Sequence, residues 1–588
     1  MTTTAIPRRF FQLALPGLLA LVLGVPAVLS QEDPEGAAAD REDGDDLFLD
    51  TVDVNVVNVD VYVTDRDGEP VTGLTADDFE VSENGRPMTV TNFYAIEGSR
   101  VRRSGPGEDE PEPGSEPEPE PEPELLPQLA EEETEAIPED QRLSLVVYVD
   151  NLNIRPHNRR RVLQDVRAFL RRELTRDDRV MLVTHDRALE IVQPFTTDAE
   201  RVVEALFEVD EVSGLGVHAE SERREVLQRI EDADNGSEAL MWAENYAESA
   251  RDDLRYTVDA LREMVTSLAG LPGRKALVYV SDGVAMIPGE DVFYAVEQKF
   301  SRTGAMTRMY GYDSSRRFEE LAAHANANRV SFYTIDAAGL RVYSSATAEA
   351  RTVDRAGGHA HVDAIRTRSL QAPLQMLAEE TGGKSIINQN RVLEPLQRVA
   401  TDFRTYYSIG YTPGHSGDGR YYRIEVELKD PEKGWTVRHR KGYRDKPAES
   451  QMRDGVLAAL NFPYSSNPLD LGLSFDQGSR RDDGHFLVPV TVRIPLRALT
   501  LVPRGEVYEA NARLFLAARD DRGWVSEVQE TRLPIRVDQE DVPGALEEHW
   551  EYTVEILLRS GAQKVAVGLR DEIAANNSFV TGTVYPGS

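Results

Sequence analysis

Carboxylates that end apolar runs are the residue types here that could do chemistry, because an open α/β sheet puts its site at the carboxyl ends of its strands. Asp150 ends the apolar run Leu143-Ser-Leu-Val-Val-Tyr-Val, Asn153 follows three residues later, and Asp282 ends Lys275-Ala-Leu-Val-Tyr-Val-Ser. Oxygen donors are the type that a hard divalent cation takes, and Mg2+ demands near-octahedral oxygens while keeping several waters. The same aspartates also have a structural reading, as helix caps and acceptors of loop backbone N–H groups. Other stretches offer less. Gly382-Gly-Lys-Ser385 has the tail of a phosphate loop, but the upstream glycine is missing. It follows a helical stretch and precedes strand-like Ser385-Ile-Ile, which is a helix C-cap arrangement. His359-Ala-His361 with Asp363 holds ligand-type residues in a segment with no periodicity, and reads as a solvated loop. His185, in Thr184-His-Asp186, has no nucleophile motif beside it and reads as a packed or surface histidine. No catalytic constellation assembles, so no catalytic residue and no organic cofactor is expected.

The elements that must position these residues follow from hydrophobic period. Val52 to Val63 alternates apolar and polar residues, as a strand with one buried face does. Asp65-Arg-Asp-Gly68 and Ser82-Glu-Asn-Gly85 supply turns, so residues 49–100 read as a small β-sandwich-like domain. From Leu143, continuous apolar runs alternate with helical stretches, which implies an α/β domain over 141–445 with a mostly parallel sheet covered on both faces. Within it, residues 220–269 mix acids and arginines at helical spacing and read as a solvated helical insertion. The hairpin of Tyr421–Leu428 and Thr436–Arg440 reads as an extension of that sheet. Beyond Pro447, the runs starting at Phe486, Ala512, Trp550 and Lys564 read as strands of a second sandwich, over 455–588.

Three stretches carry a resemblance. Thr64-Asp65, Gly68, Pro70-Val71, Gly73-Leu74-Thr75 and Asp78-Phe79-Glu80-Val81 precede Val149-Asp-Asn-Leu-Asn-Ile-Arg-Pro-His-Asn-Arg159 and Lys275 to Gly283. This order resembles a family of secreted bacterial von Willebrand factor A-related proteins. The resemblance implies a doubly wound, mostly parallel α/β sheet of von Willebrand A type, flanked by all-β, sandwich-like domains. It also implies a metal site fed by an Asp-x-Ser-x-Ser segment, a distant Thr and a later Asp. Asp150 and Asp282 keep the two acidic positions, while Leu152 and Ile154 replace both hydroxyls. Asn153 can lend a carbonyl only if the loop is rebuilt. The Thr is expected in the loop after Phe207, where Val212-Ser-Gly-Leu-Gly-Val217 has none. The resemblance thus implies a degenerate metal site at Asp150, Asn153 and Asp282, with Mg2+ weak or absent and no other cofactor. In that family the phrase built on Val149-Asp-Asn, Asn153, Arg155-Pro156 and Asn158-Arg159 stands in place of the serine motif.

Composition bounds the rest. A chain of 588 residues is too long for one core. Arg8-Arg9, the apolar stretch Phe10 to Leu29 and small residues near Ser30 give residues 1–30 the layout of a secretory signal, with a loose twin-arginine pattern as the alternative export route. The absence of cysteine excludes disulfides, thiolate metal sites and cysteine catalysis. Of the formal charge of −36, much sits in residues 31–48 and in the Pro/Glu-rich linker 101–140, where positions 104–140 hold fifteen acids and no base. Such segments cannot bury a core and are expected to be extended. The remainder is mildly acidic, which argues against nucleic acid as a partner. No second long apolar run follows the leader, so no transmembrane segment is expected in the mature chain. The expectation is an exported, non-catalytic binding protein, periplasmic, cell-surface or extracellular, whose partner is a protein ligand or cell-envelope component. Its ligand surface is expected at Asp150–Pro156, Val212–Ala219 and Asp282–Pro288. Two alternatives stand: a cation-dependent adhesin using Asp150 and Asp282, and an accessory subunit of an envelope enzyme.

Overall fold

The computed structural model describes residues 56–98, 100–103, 142–175, 178–186, 188–212, 216–341, 353–430, 434–462 and 466–587. The leader 1–30, the acidic segment 31–48 and linker residues 104–140 lie outside them. No helix among the described residues is long and apolar enough to cross a membrane.

The first elements are strands β1 (Val57–Thr64), β2 (Phe79–Glu83), β3 (Arg86–Met88), β4 (Val90–Glu97) and β5 (Arg100–Arg103). In β1 the alternation seen in the sequence becomes burial: Val57, Val59, Val61 and Val63 all face a core.

A mixed α/β domain follows: β6 (Leu143–Asp150), α1 (Pro156–Glu173), β7 (Arg179–His185), β8 (Leu189–Thr196), α2 (Ala199–Glu211), α3 (Gly216–Asp232), α4 (Gly236–Ser267), β9 (Arg274–Ser281), α5 (Glu290–Lys299), α6 (Ala305–Met309), α7 (Ser315–Ala327), β10 (Val330–Asp336), α8 (Val353–Glu380), β11 (Ser385–Ile386) and α9 (Leu393–Arg404). The sheet order is β11-β10-β9-β6-β7-β8. Every pair is parallel except β7–β8, which is antiparallel. Central β6 is buried along its whole length, which is why its sequence is continuously apolar rather than alternating. Its odd positions, Leu145, Val147 and Val149, pack with Val162 and Phe169 of α1, Leu206 of α2 and Val399 of α9. Its even positions, Val146 and Tyr148, pack with Leu254 and Leu261 of α4, Phe318 of α7 and Leu377 of α8.

The structure corrects several expectations from sequence. The stretch 220–269 is not a solvated insertion. The second half of α4 covers one face of the sheet through Leu254, Val258, Leu261, Met264 and Val265. Its first half packs Ala239, Ala243 and Ala247 against Ile230 of α3 and Phe293 of α5. The many charges of α4 fall on the remaining face, so the apolar stripe is narrow and easily overlooked. The segment around His359–Asp363 is not a loop but part of α8; there His361 packs edge-on against Tyr294, and Asp363 accepts from Arg223 at 2.9 Å.

The largest correction concerns the segment after α9. Strands β12 (Thr405–Tyr411), β13 (Tyr421–Leu428), β14 (Thr436–His439) and β15 (Gly442–Arg444) do not extend the parallel sheet. They form one sheet of order β14-β1-β12-β4-β5 and a second of order β15-β13-β2-β3 with the amino-terminal strands. The α/β domain is therefore inserted between the two halves of a single sandwich, whose core combines Val59, Phe79 and Phe93 with Tyr407, Ile409 and Ile424. Long-range antiparallel pairing leaves no local signature, so a strand that closes a distant sheet reads like one that continues the nearer one.

Helix α10 (Ala448–Asn461) then leads to β16 (Gly472–Phe475), β17 (Ser479–Arg480), β18 (Phe486–Pro495), β19 (Val502–Arg504), β20 (Val507–Asp520), β21 (Gln529–Asp538), α11 (Val542–Ala545), β22 (His549–Leu558), β23 (Gln563–Asp571) and β24 (Asn577–Val584). These strands make two sheets around one core, with β18–β22 in one and β20–β23 in the other. Helix α10 packs on the outer face of the β20–β23 sheet, its Met452, Val456 and Leu460 against Phe515, Ala517 and Ala566, and reaches the α/β core through Ala458 and Phe462. The approach is close: a Cβ on Gly270 would lie 2.0 Å from the Asp454 carbonyl oxygen.

Candidate functional site

The carboxyl edge of the parallel sheet gathers Asp150, Asn153 and Asp282, and the geometry explains what each does. Asp150 is fully buried. Its carboxylate accepts from the Tyr279 hydroxyl at 2.5 Å, the Ser281 hydroxyl at 3.2 Å, and Asn153 through Nδ2 at 2.9 Å and the backbone N–H at 3.2 Å. Burial, followed by the neighbouring Asp150 charge, holds the Tyr279 hydroxyl well above the usual tyrosine range, so it stays protonated and donates. His185 approaches from the next strand, with Nδ1 3.5 Å from the Asp150 carboxylate.

Asp282 is neutralised differently. It accepts from the Arg155 backbone N–H at 3.1 Å, Arg155 Nε at 3.0 Å and Asn158 Nδ2 at 2.9 Å. Burial pushes its carboxyl above the ordinary aspartate value, and the Arg155 charge pulls the other way. Asn153 links the Asp150 carboxylate to the backbone of Asp282: its backbone carbonyl accepts from the Asp282 N–H at 2.9 Å, and its side-chain amide also donates to Thr257 Oγ1 at 2.8 Å. The hydroxyl near the edge thus comes from α4, not from the loop after Phe207 where a Thr was expected.

These residues do not fit a Mg2+ site. The side chains of Leu152 and Ile154 are buried and apolar. Both carboxylates are already bonded to protein donors, and a guanidinium stands 3.0 Å from Asp282 where a cation would need that oxygen. The segment from Asn151 to Arg159 has a mechanical role. Arg155 and Asn158 donate to Asp282, while buried Arg159 donates to Asn151 Oδ1 at 2.8 Å and to the carbonyl oxygen of Val212. Arg159 thereby ties the loop after β6 to the end of α2. Beside it, Gly216 starts α3 so close to this loop that a Cβ would sit 2.7 Å from the Ile154 carbonyl.

A cleft of about 120 Å³ opens over this edge, lined among others by Asn153, Arg155, Tyr246, Asp282, Arg341 and Arg366. Arg341 donates to Asp336 at 3.0 Å and to the Asp282 carbonyl at 2.7 Å, and Arg366 pairs with Glu220 at 3.1 Å. The Arg155 side chain is 43% exposed against 12% for Asp282, so the cation side of this pair faces solvent. Val212, Val217 and Leu340 are exposed apolar side chains on the segments that rim the same edge.

Gly382 and Gly383 lie where the sandwich meets the α/β domain. Their carbonyls accept from Arg438, and Lys384 donates to Asp402 at 2.9 Å, an arrangement with no phosphate cradle.

Sequence reading missed a second polar centre. His415 sits between Glu83 and Asp445, with Nε2 2.9 Å from one and Nδ1 2.8 Å from the other, and its ring stacks on Tyr422 at 3.6 Å. Asp418 lies close enough that the three ligand atoms of His415, Asp418 and Asp445 fall within 4.8 Å of one another. Since both ring nitrogens face carboxylates, the protonated imidazole clamps β2 to the end of β15. Burial alone would lower the His415 pKa, but its bonds to Asp445 and Glu83 outweigh this and the net direction is up. A raised native pKa means the clamp's stabilisation is full below the unfolded-state value of about 6.5 and fades as pH rises through the native value. Urea unfolding of the wild type and His415→Gln at about pH 6 and about pH 9 should show a stability gap that narrows at the higher pH; a gap that widens would refute the clamp. Glu83 and His415 are 332 positions apart, which is why no sequence pattern announced them.

No family model matches the chain, and no curated protein matches it. Among solved structures it is similar to an aerotolerance-related membrane protein from Bacteroides fragilis, at 12% identity over 44% of this chain and 98% of that one, with TM-score 0.23. It is also similar to the conserved hypothetical protein BatB from Bacteroides thetaiotaomicron, at 11% identity over 45% and 96%, TM-score 0.22. A third is a mutant of the PilB minor pilin from Streptococcus sanguinis, at 11% identity over 58% and 88%, TM-score 0.25. At these TM-scores the likenesses carry no argument about this chain.

Proposed function

We propose that this is an exported, non-catalytic protein-binding module of von Willebrand A type, with a doubly wound sheet, that engages its partner at the carboxyl edge without a metal ion. The observation that carries the reading is the solvent-facing Arg155 guanidinium held on Asp282 at 3.0 Å. A fixed organic cation at that place offers a partner carboxylate the charge that a divalent ion offers elsewhere, and a guanidinium adds directional donors. The exposed Val212, Val217 and Leu340 supply apolar contact around it. Asp150 and Asp282 are committed to protein donors, which leaves neither poised to move a proton for a substrate. Envelope extract passed over the immobilised full-length protein in EDTA should leave a specific partner bound, and Arg155→Glu should release it. Retention that requires Mg2+ and survives Arg155→Glu would instead favour a cation-dependent adhesin.

A further inference from the structure

A second cavity lies at the opposite end of the α/β sheet, where the sandwich abuts it. Its volume is about 280 Å³, far above the ~30 Å³ that one water takes in the liquid. Four cations line it, Arg274, Lys275, Arg329 and Arg440, against the single carboxylate of Asp60. Two of the four are spoken for. Arg274 bonds Asp60 and Tyr62, and Lys275 donates to three backbone carbonyls at the end of α4. Arg440 donates to the carbonyls of Asn58 and Asn326 and forms no ion pair among the described residues, although the Asp60 charge acts on it. Exposed Arg329 adds a like charge at the mouth, on a residue whose φ of 55° is left-handed. Burial and then this neighbouring charge pull the Arg440 pKa down to about 10. Among the lining residues, Asn326 Oδ1 and the Tyr333 hydroxyl are buried with no hydrogen-bond partner among the described residues.

We infer that this cavity is a binding site for a small organic anion, a phosphate or carboxylate carried on a polar body, held by Arg329 and Arg440. An anion supplies the charge that the four cations lack, and the asparagine and tyrosine side chains of the wall suit hydroxyl groups. The site is distinct from the carboxyl edge and does not rest on its reading.

The test is titration calorimetry on the full-length protein with pyrophosphate and with citrate, each at constant ionic strength set by NaCl. Saturable binding of pyrophosphate, citrate or both is expected, and which of them binds identifies the anionic group. Arg329→Asn keeps a residue that tolerates the left-handed backbone, and removing one charge-assisted contact should weaken binding about tenfold or more. Arg329→Lys should restore part of it. Arg497→Gln, on the exposed surface of the carboxyl-terminal sandwich, should leave it unchanged. Absence of saturable heat with both anions, or affinities that Arg329→Asn does not change, would overturn the assignment.

Discussion

Replacing Asp150 by alanine is expected to destabilise the protein by about 3 kcal/mol, even though a metal-site reading would make that aspartate dispensable for folding. The carboxylate is the acceptor for Tyr279, Ser281 and Asn153 in a fully buried position. Its removal strands the Tyr279 hydroxyl and the Asn153 amide, and each buried unsatisfied group costs about 1–3 kcal/mol. Asp150→Asn keeps one acceptor oxygen and should cost roughly half as much. Urea unfolding monitored by circular dichroism reads both values. A loss near zero for Asp150→Ala would mean that the carboxylate is free for a ligand after all.

The second large effect is expected at Arg274, which joins the two bodies. Its guanidinium donates to Asp60 at 3.2 Å, the Tyr62 hydroxyl at 2.8 Å and the Phe403 carbonyl at 2.9 Å, and lies 3.8 Å over the Tyr406 ring. Burial opposes its charge, but the surrounding tyrosines and Asp60 hold its pKa well above the ordinary arginine value. Arg274→Ala removes one side of this desolvated network and should cost about 3–5 kcal/mol. Because the contact spans the sandwich and the α/β domain, calorimetry should also show the single transition splitting, with the sandwich melting earlier. Arg274→Lys keeps the charge but loses the planar stacking and the divergent donors, so it should fall in between. An unchanged single transition for Arg274→Ala would show that the two bodies are held together elsewhere.

Local patterns in the sequence revealed the elements, and long-range pairing was hidden. The continuous apolar run of β6 and the alternation of β1 follow from burial on two faces and on one, so their type was readable from period alone. The placement of β12 to β15 was not, because pairings such as that of Val59 with Ile409 connect segments separated by an entire inserted domain. At the site, the loss of both hydroxyls to Leu152 and Ile154 was visible, and it pointed to a damaged metal centre. The protein donors that satisfy Asp282 were not visible. Arg155 meets Asp282 across 127 positions, and only the backbone path of the loop after β6 brings them together. Thr257 was obscured for a similar reason: α4 reads as a charged helix, and nothing local shows that its buried stripe points a hydroxyl at Asn153.

On the proposed reading, Arg155 and Asn158 satisfy Asp282 at the carboxyl edge without a cation. The most direct test of that reading is titration calorimetry of Mg2+ into the full-length protein, with thermal melting in EDTA alongside. No saturable binding tighter than roughly the millimolar range is expected, with an unchanged melting temperature, since a ligand stabilises the folded state only above its dissociation constant. Micromolar Mg2+ binding that Asp282→Ala abolishes would contradict it.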